Sequence, residues 1–350
     1  MKKFMKIIIM LLIMFSISAC SPTTSYNANI SREISKNLTE VRHDFEIPKS
    51  YLLSQCFWYD DNKMLFAFEK SGEKEMLKLY GFDLNTNTST LIYDGPFSVE
   101  YTNSFLLNNQ RIGYQNEQQA IILNKNNWDI IAKTSKKDMD LSISFSPDMR
   151  YLAEISENGI YITTSQSGQK KVADKVSKEY NCLTWANDSS KLLYITNDYS
   201  DISVIEIASN RKQMLRGGQD FKYPEEFVNL VWCHFLPDNS NILVQMLCEN
   251  NDVFSILNYN GNNVIQKTIA EKGNITIMDF NNSSILYTCK YNKGQTKLIR
   301  YNYLNGNKKV IFNTPSFINF ASFSPHGDKI IFTNNFDEKQ VIYIYHVDKV

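Results

Sequence analysis

SFSPDMRYLAEI (Ser144 to Ile155) and SFSPHGDKIIFT (Ser322 to Thr333) are two copies of one pattern. Each starts as a strand ending in an aromatic residue. It then passes through a tight turn and resumes as a strand of apolar, β-branched and aromatic residues. The turn residues have definite reasons to be there: Pro fixes φ, Asp bonds its own backbone, and Gly accepts positive φ. Looser copies are TWANDSSKLLYI (Thr184 to Ile195), HFLPDNSNILVQ (His234 to Gln245) and DFNNSSILYTC (Asp279 to Cys289). Two earlier copies are FWYDDNKMLFAF (Phe57 to Phe68) and FLLNNQRIGYQ (Phe105 to Gln115). They recur at intervals of about 40 to 50 residues, the period of repeat architectures.

Each copy is followed by a third strand of alternating type, such as Val341-Ile342-Tyr343-Ile344-Tyr345 or Lys297-Leu298-Ile299-Arg300-Tyr301. Turns such as Asn260-Gly261 and Asn305-Gly306 then lead to a short fourth strand, as at Val264-Ile265. Period-2 alternation with Asn-Gly turns is antiparallel hairpin chemistry. Four strands per repeat at this period predict an all-β, seven-bladed β-propeller of four-stranded antiparallel blades. Six blades are the alternative if the Phe105 copy is not a full blade.

The turn segments resemble the repeats of TolB-like propellers, relatives of the WD-repeat propellers. The resemblance is good at Phe145-Ser146-Pro147-Asp148 and Phe323-Ser324-Pro325-His326-Gly327, and partial at Trp185-Ala186-Asn187-Asp188 and Phe235-Leu236-Pro237-Asp238. It covers residues from about 45 to 350. It implies the fold and little about function, because the shared residues build a turn. No separate N-terminal domain like that of TolB is visible.

The final repeat has only three strands before the chain stops at Val350. The spare segment His43-Asp44-Phe45-Glu46-Ile47-Pro48 is therefore expected to pair beside Val341 to His346 as the outer strand of the last blade. Such a clasp covers an open sheet edge. The propeller then spans 43–350.

Upstream, Met-Lys-Lys-Phe-Met-Lys is a basic head, Ile7 to Phe15 an apolar run, and Ile17-Ser18-Ala19-Cys20 a small-residue end. The run is too short for a permanent membrane span, so residues 1–19 read as a signal peptide. Its end resembles the lipobox of bacterial lipoproteins, which implies a diacylglycerol on the Cys20 thiol. Two acyl chains give stable anchoring where one does not. Residues 20–42, polar and without apolar periodicity, read as a flexible tether with a short helical piece near Ser31 to Val41. The expected location is the extracytoplasmic face of the cell membrane.

The charges balance, with 37 Lys and Arg against 37 Asp and Glu. Loss of the signal's lysines leaves a mildly acidic chain, so nucleic acid is not an expected partner. Cys56, Cys182, Cys233, Cys248 and Cys289 are odd in number and scattered; they read as buried strand residues, with Cys233 and Cys248 the one candidate bridge. No spacing marks a metal site, no G-x-S-x-G is present, and no cofactor is expected. The acidic pairs Asp60-Asp61, Glu225-Glu226 and Asp337-Glu338 fall in turns or loops. At the channel mouth the repeats place Ser54, Gln55, Tyr101, Asn103, Ser142, Asn181, Asn229, Thr276 and Asn319, a polar and nearly uncharged set. The long connection from Arg211 to Leu230 is the candidate recognition loop. Arg216, Lys222, Tyr223 and Glu225 are its candidate contacts.

The sequence is therefore read as a monomeric binding or scaffolding lipoprotein and not an enzyme. It would recognise a protein, peptide or envelope polymer (a glycan among them) through one face of the ring. A polysaccharide lyase or hydrolase, and a sensory accessory of a membrane partner, are the alternatives.

Overall fold

The computed structural model describes residues 30–35, 37–43, 50–70, 75–97, 104–107, 111–115, 119–124, 129–135, 143–156, 159–164, 168–173, 183–196, 201–216, 227–248, 252–260, 263–270, 274–291, 294–333 and 340–347. These form seven antiparallel sheets arranged as a β-propeller. Six are four-stranded blades, each from one contiguous stretch: blade 1 (52–96), blade 2 (104–135), blade 3 (143–173), blade 4 (184–216), blade 5 (227–270) and blade 6 (274–314). The seventh, the closing sheet, has five strands, three from 320–346 and two from the N-terminal side.

Closure works as the sequence implies, but in a different register. The outer strand beside Gln340–His346 is Leu38–His43, with Leu38 opposite Tyr345 and His43 opposite Gln340. It is not 43–48, of which only His43 is described. The strand Ile30–Ser35 pairs in turn with Leu38–His43, so 30–43 is a hairpin rather than helix or tether. The reason lies in alternation. Successive strand residues point to opposite faces. Leu38 packs with blade 6 and the closing sheet, and Val41 with blade 1 and the closing sheet. The strand therefore seals both junctions of the closing sheet.

Between adjacent sheets lie apolar layers. Blades 1 and 2, 3 and 4, 4 and 5, and 5 and 6 each share one buried cluster. In the second strand of blade 4, Leu192 and Tyr194 face blade 3, whereas Leu193 and Ile195 face blade 5. Polar latches accompany these layers. Trp58 Nε1 donates to the Ser322 carbonyl (3.3 Å), and Trp185 Nε1 donates to the Ser144 carbonyl (3.1 Å). Both tryptophans occupy the aromatic position before the repeat turn. Thr184 Oγ1 donates to the Cys233 carbonyl, and Gln245 Nε2 to the Ile275 carbonyl.

The repeat turns share one backbone. Ser146 N donates to Tyr151 O and Met149 N to Ser146 O; Ser324 N and Gly327 N repeat this with Lys329 O and Ser324 O. The equivalent residues Met149, Ser189, Asn239 and Gly327 all have positive φ, between 53° and 71°. Asp148 accepts from Ser146 Oγ and Arg150 N. Its burial opposes ionisation, yet these bonds and the Arg150 guanidinium hold its carboxyl below the usual range. The aspartates of these turns are structural.

Cys56, Cys233 and Cys289 are buried and form no disulfide. Cys233 pairs with Val244 and Cys248 with Phe227, so the two candidates for a bridge sit several residue pairs apart along one hairpin.

Candidate functional site at the channel mouth

The first strands of neighbouring sheets approach one another, so they line the axis. Their starting ends, with the ends of the second strands, define a mouth face. The repeat turns define the opposite face.

At the mouth between blades 1 and 2 three polar side chains meet. Tyr114 OH donates a short hydrogen bond to Glu69 Oε1, and Ser54 Oγ lies 3.3 Å from the same hydroxyl. Ser54 lies near the start of the first strand of blade 1 (Leu52–Trp58), Glu69 near the end of the second (Lys63–Lys70), and Tyr114 comes from blade 2. The group is nearly dry, with Tyr114 at 0% and Glu69 at 6% exposure. Burial raises the Glu69 carboxyl above its usual range, opposed by the Tyr114 and Ser54 hydrogen bonds. Burial and the Glu69 charge raise the Tyr114 phenol as well. A carboxyl moved toward neutrality beside a phenol is suited to giving or taking a proton.

A second carboxyl, the half-buried Asp279, sits deeper between blade 6 and the closing sheet. A bulge between Ile277 and Asp279 turns it across the junction. It accepts from Ser322 Oγ (2.7 Å), Phe323 N (2.8 Å) and Phe280 N (2.7 Å). Burial raises it to about 6 despite these bonds. Its partners are two blades' own strands, which makes it a latch.

The other expected positions divide. Ser54, Gln55, Thr276 and Asn319 lie at the mouth as read; Asn229 pairs opposite Leu247 there. Tyr101, Asn103, Ser142 and Asn181 lie outside the described residues. Arg216 ends the fourth strand of blade 4 opposite Ile202. Lys222, Tyr223 and Glu225 lie outside the described residues, as does Cys20. His234 is enclosed between Trp232 (5.6 Å) and Phe280 (4.8 Å), and burial lowers its pKa. His326 pairs with Asp61 on the turn face. Glu69 was not singled out in the sequence, because a charge after MLFAF reads as an ordinary strand end.

No family model and no curated protein sequence matches the chain. Solved structures do. The chain is similar to an oligogalacturonate lyase from Vibrio parahaemolyticus, at 12% identity over 92% of this chain and 98% of that one, with a TM-score of 0.65. It is similar to an oligogalacturonate lyase in complex with manganese, at 12% identity over 92% and 96%, TM-score 0.63. It is also similar to the β-propeller domain of Cps50 (Swd1) from Myceliophteria thermophila, at 8% identity over 81% and 94%, TM-score 0.54. The fold is shared with enzymes. Likeness at these identities establishes the propeller, in accord with the repeat resemblance read in the sequence.

It also corrects the reading of the chain as no enzyme. Lyases share its ring over 92% of its length. The manganese of one lyase has no evident counterpart here: among the described residues no three His, Cys, Asp or Glu converge. Among the described residues His326 and His346 lie at the turn face and His234 is flanked by the Trp232 and Phe280 rings, so the described residues do not fit that metal.

Proposed function

We propose that this chain is a membrane-anchored, extracytoplasmic propeller that binds a polysaccharide at its mouth face and cleaves it as a lyase or hydrolase. The observation that carries the reading is the Ser54–Tyr114–Glu69 group, a dry carboxyl of raised pKa held by a phenol at the mouth. The likeness to two oligogalacturonate lyases supports it. Glu69 is the group that exchanges the proton. Tyr114, enclosed, is a positioning residue.

In an elimination the base takes the proton on the carbon beside the sugar carboxylate. The bond to the glycosidic oxygen breaks as the C=C bond forms, and that oxygen leaves with a proton taken from water. In a hydrolysis the same carboxyl would protonate the leaving oxygen while water supplies the new bond. Unsaturated product absorbance separates the two outcomes.

The test is depolymerisation of polygalacturonate by the mature chain, with Glu69→Gln and Tyr114→Phe. Glu69→Gln is expected to lower kcat by about 100-fold or more. Tyr114→Phe removes a hydrogen bond that holds the Glu69 pKa down, so the acidic limb of its pH profile moves to higher pH. Activity that survives Glu69→Gln would refute the assignment. Anchoring through Cys20 predicts that Cys20→Ser moves the protein from the membrane to the soluble fraction; firm membrane retention would refute it.

A further inference from the structure

Blade 6 carries an arrangement at the mouth that its fold does not require. Its second strand ends at Lys290, the chain turns at Tyr291, and the third strand begins at Thr296 and Lys297. The turn is tight: Tyr291 N donates to Gln295 O (2.9 Å), Gly294 N donates to Tyr291 O (3.0 Å), and Gly294 has φ of 75°. Lys297 Nζ stands 4.6 Å from the centre of the Tyr291 ring. Lys290 Nζ stands 4.1 Å from the centre of the Phe317 ring, which comes from the connection to the closing sheet. Phe317 is 62% exposed. Toward the axis the same blade offers the exposed residues Asn274, opposite Lys290, and Thr276.

A singly exposed aromatic residue is ordinary. This one has an ammonium over one face and sits beside a second ring–ammonium pair. An aromatic face offers a flat apolar platform, and the ammonium above the ring contributes a cation without needing a carboxylate partner in the contact. Two such pairs, an amide and a hydroxyl on one blade match a polymer of flat-faced rings bearing regular negative charge. A neutral glycan would use the rings and waste the lysines. A flexible polyol phosphate would use the lysines and waste the rings.

We infer that the mouth of blade 6, built on Phe317, Lys290, Tyr291 and Lys297, is a binding subsite for a carboxylated glycan. It is separate from the Glu69 group on blades 1 and 2. The inference rests on the proposed polysaccharide function for its setting, but its test reads binding and not cleavage. The subsite holds a strand of the polymer while the chain's other face of the mouth acts on it.

The experiment is calorimetry and affinity electrophoresis of the mature chain with polygalacturonate, dextran and polyglycerol phosphate as probes. The variants are Phe317→Ala, the double Lys290→Gln/Lys297→Gln, and the charge-keeping Lys290→Arg, each checked for an unchanged melting curve. Polygalacturonate is expected to bind and to weaken with salt. Phe317→Ala and the double variant each lose about tenfold in affinity, a detectable loss at the ordinary scale of binding, while Lys290→Arg keeps it. Dextran binding equal to polygalacturonate would overturn the inference, as would no polygalacturonate binding at all. Polyglycerol phosphate binding that Phe317→Ala leaves untouched would overturn the glycan assignment. Binding that follows these variants while cleavage is absent would sink the proposed catalysis and leave the subsite standing.

Discussion

Asp279→Asn tests the physical account of the ring most sharply. The carboxyl has three donors, all within 2.8 Å, and lies across the junction of blade 6 and the closing sheet. Burial still wins and raises its pKa from 3.8 to about 6. The native state therefore holds this proton more tightly than the unfolded chain does. The stability this contributes is fully present below the unfolded value and is lost as pH rises through about 6. The difference of roughly two units corresponds to about 3 kcal/mol in all. Integration between pH 5 and pH 7.5 gives about 1.4 kcal/mol lost over that window. The assay is urea denaturation of the mature domain and of Asp279→Asn at several pH values. Subtracting the two curves cancels the other carboxylates. Asparagine cannot ionise, so the difference should shrink toward the variant's side by about that amount as pH rises. The absolute offset is a separate matter, because the amide presents a donor to three donors. A difference curve flat with pH would refute the reasoning.

Three further outcomes follow from the latches and turns. Trp185→Phe loses the Nε1 bond to Ser144 O and part of the buried indole volume, and should destabilise by about 2 to 3 kcal/mol in denaturant titration. Gly327→Ala puts a Cβ at 2.9 Å from Asn281 Nδ2 at a φ of 71°, and should destabilise by about 1 to 2 kcal/mol, whereas the same change at the open Gly294 meets only the backbone penalty. Val41→Asp places a charge in the layer between the closing sheet and blade 1; hydrogen exchange should show Gln340–His346 losing protection before blades 4 and 5.

The rhythm of the strands was legible because each repeat buries the same positions in the same way. A turn such as Ser146-Pro147-Asp148-Met149 is local chemistry, and it was readable from residues a few places apart. The closing strand was legible in kind but not in register. Leu38–His43 and the segment after it both alternate, and a local pattern does not say which alternation meets Val341. The Glu69 group was not legible. Its members are 15 and 45 residues apart in sequence, and only the approach of blade 2 to blade 1 puts the phenol against the carboxyl. The Lys290–Phe317 contact is likewise a product of the turn from blade 6 to the closing sheet.

By itself the sequence determined that this chain is a ring of antiparallel repeats, since hydrophobic alternation and turn residues are short-range properties. Only the tertiary structure decided where the ring closes, which carboxyls change their pKa, and which side chains share the mouth. Those depend on desolvation and on contacts between distant blades, and no local pattern records either.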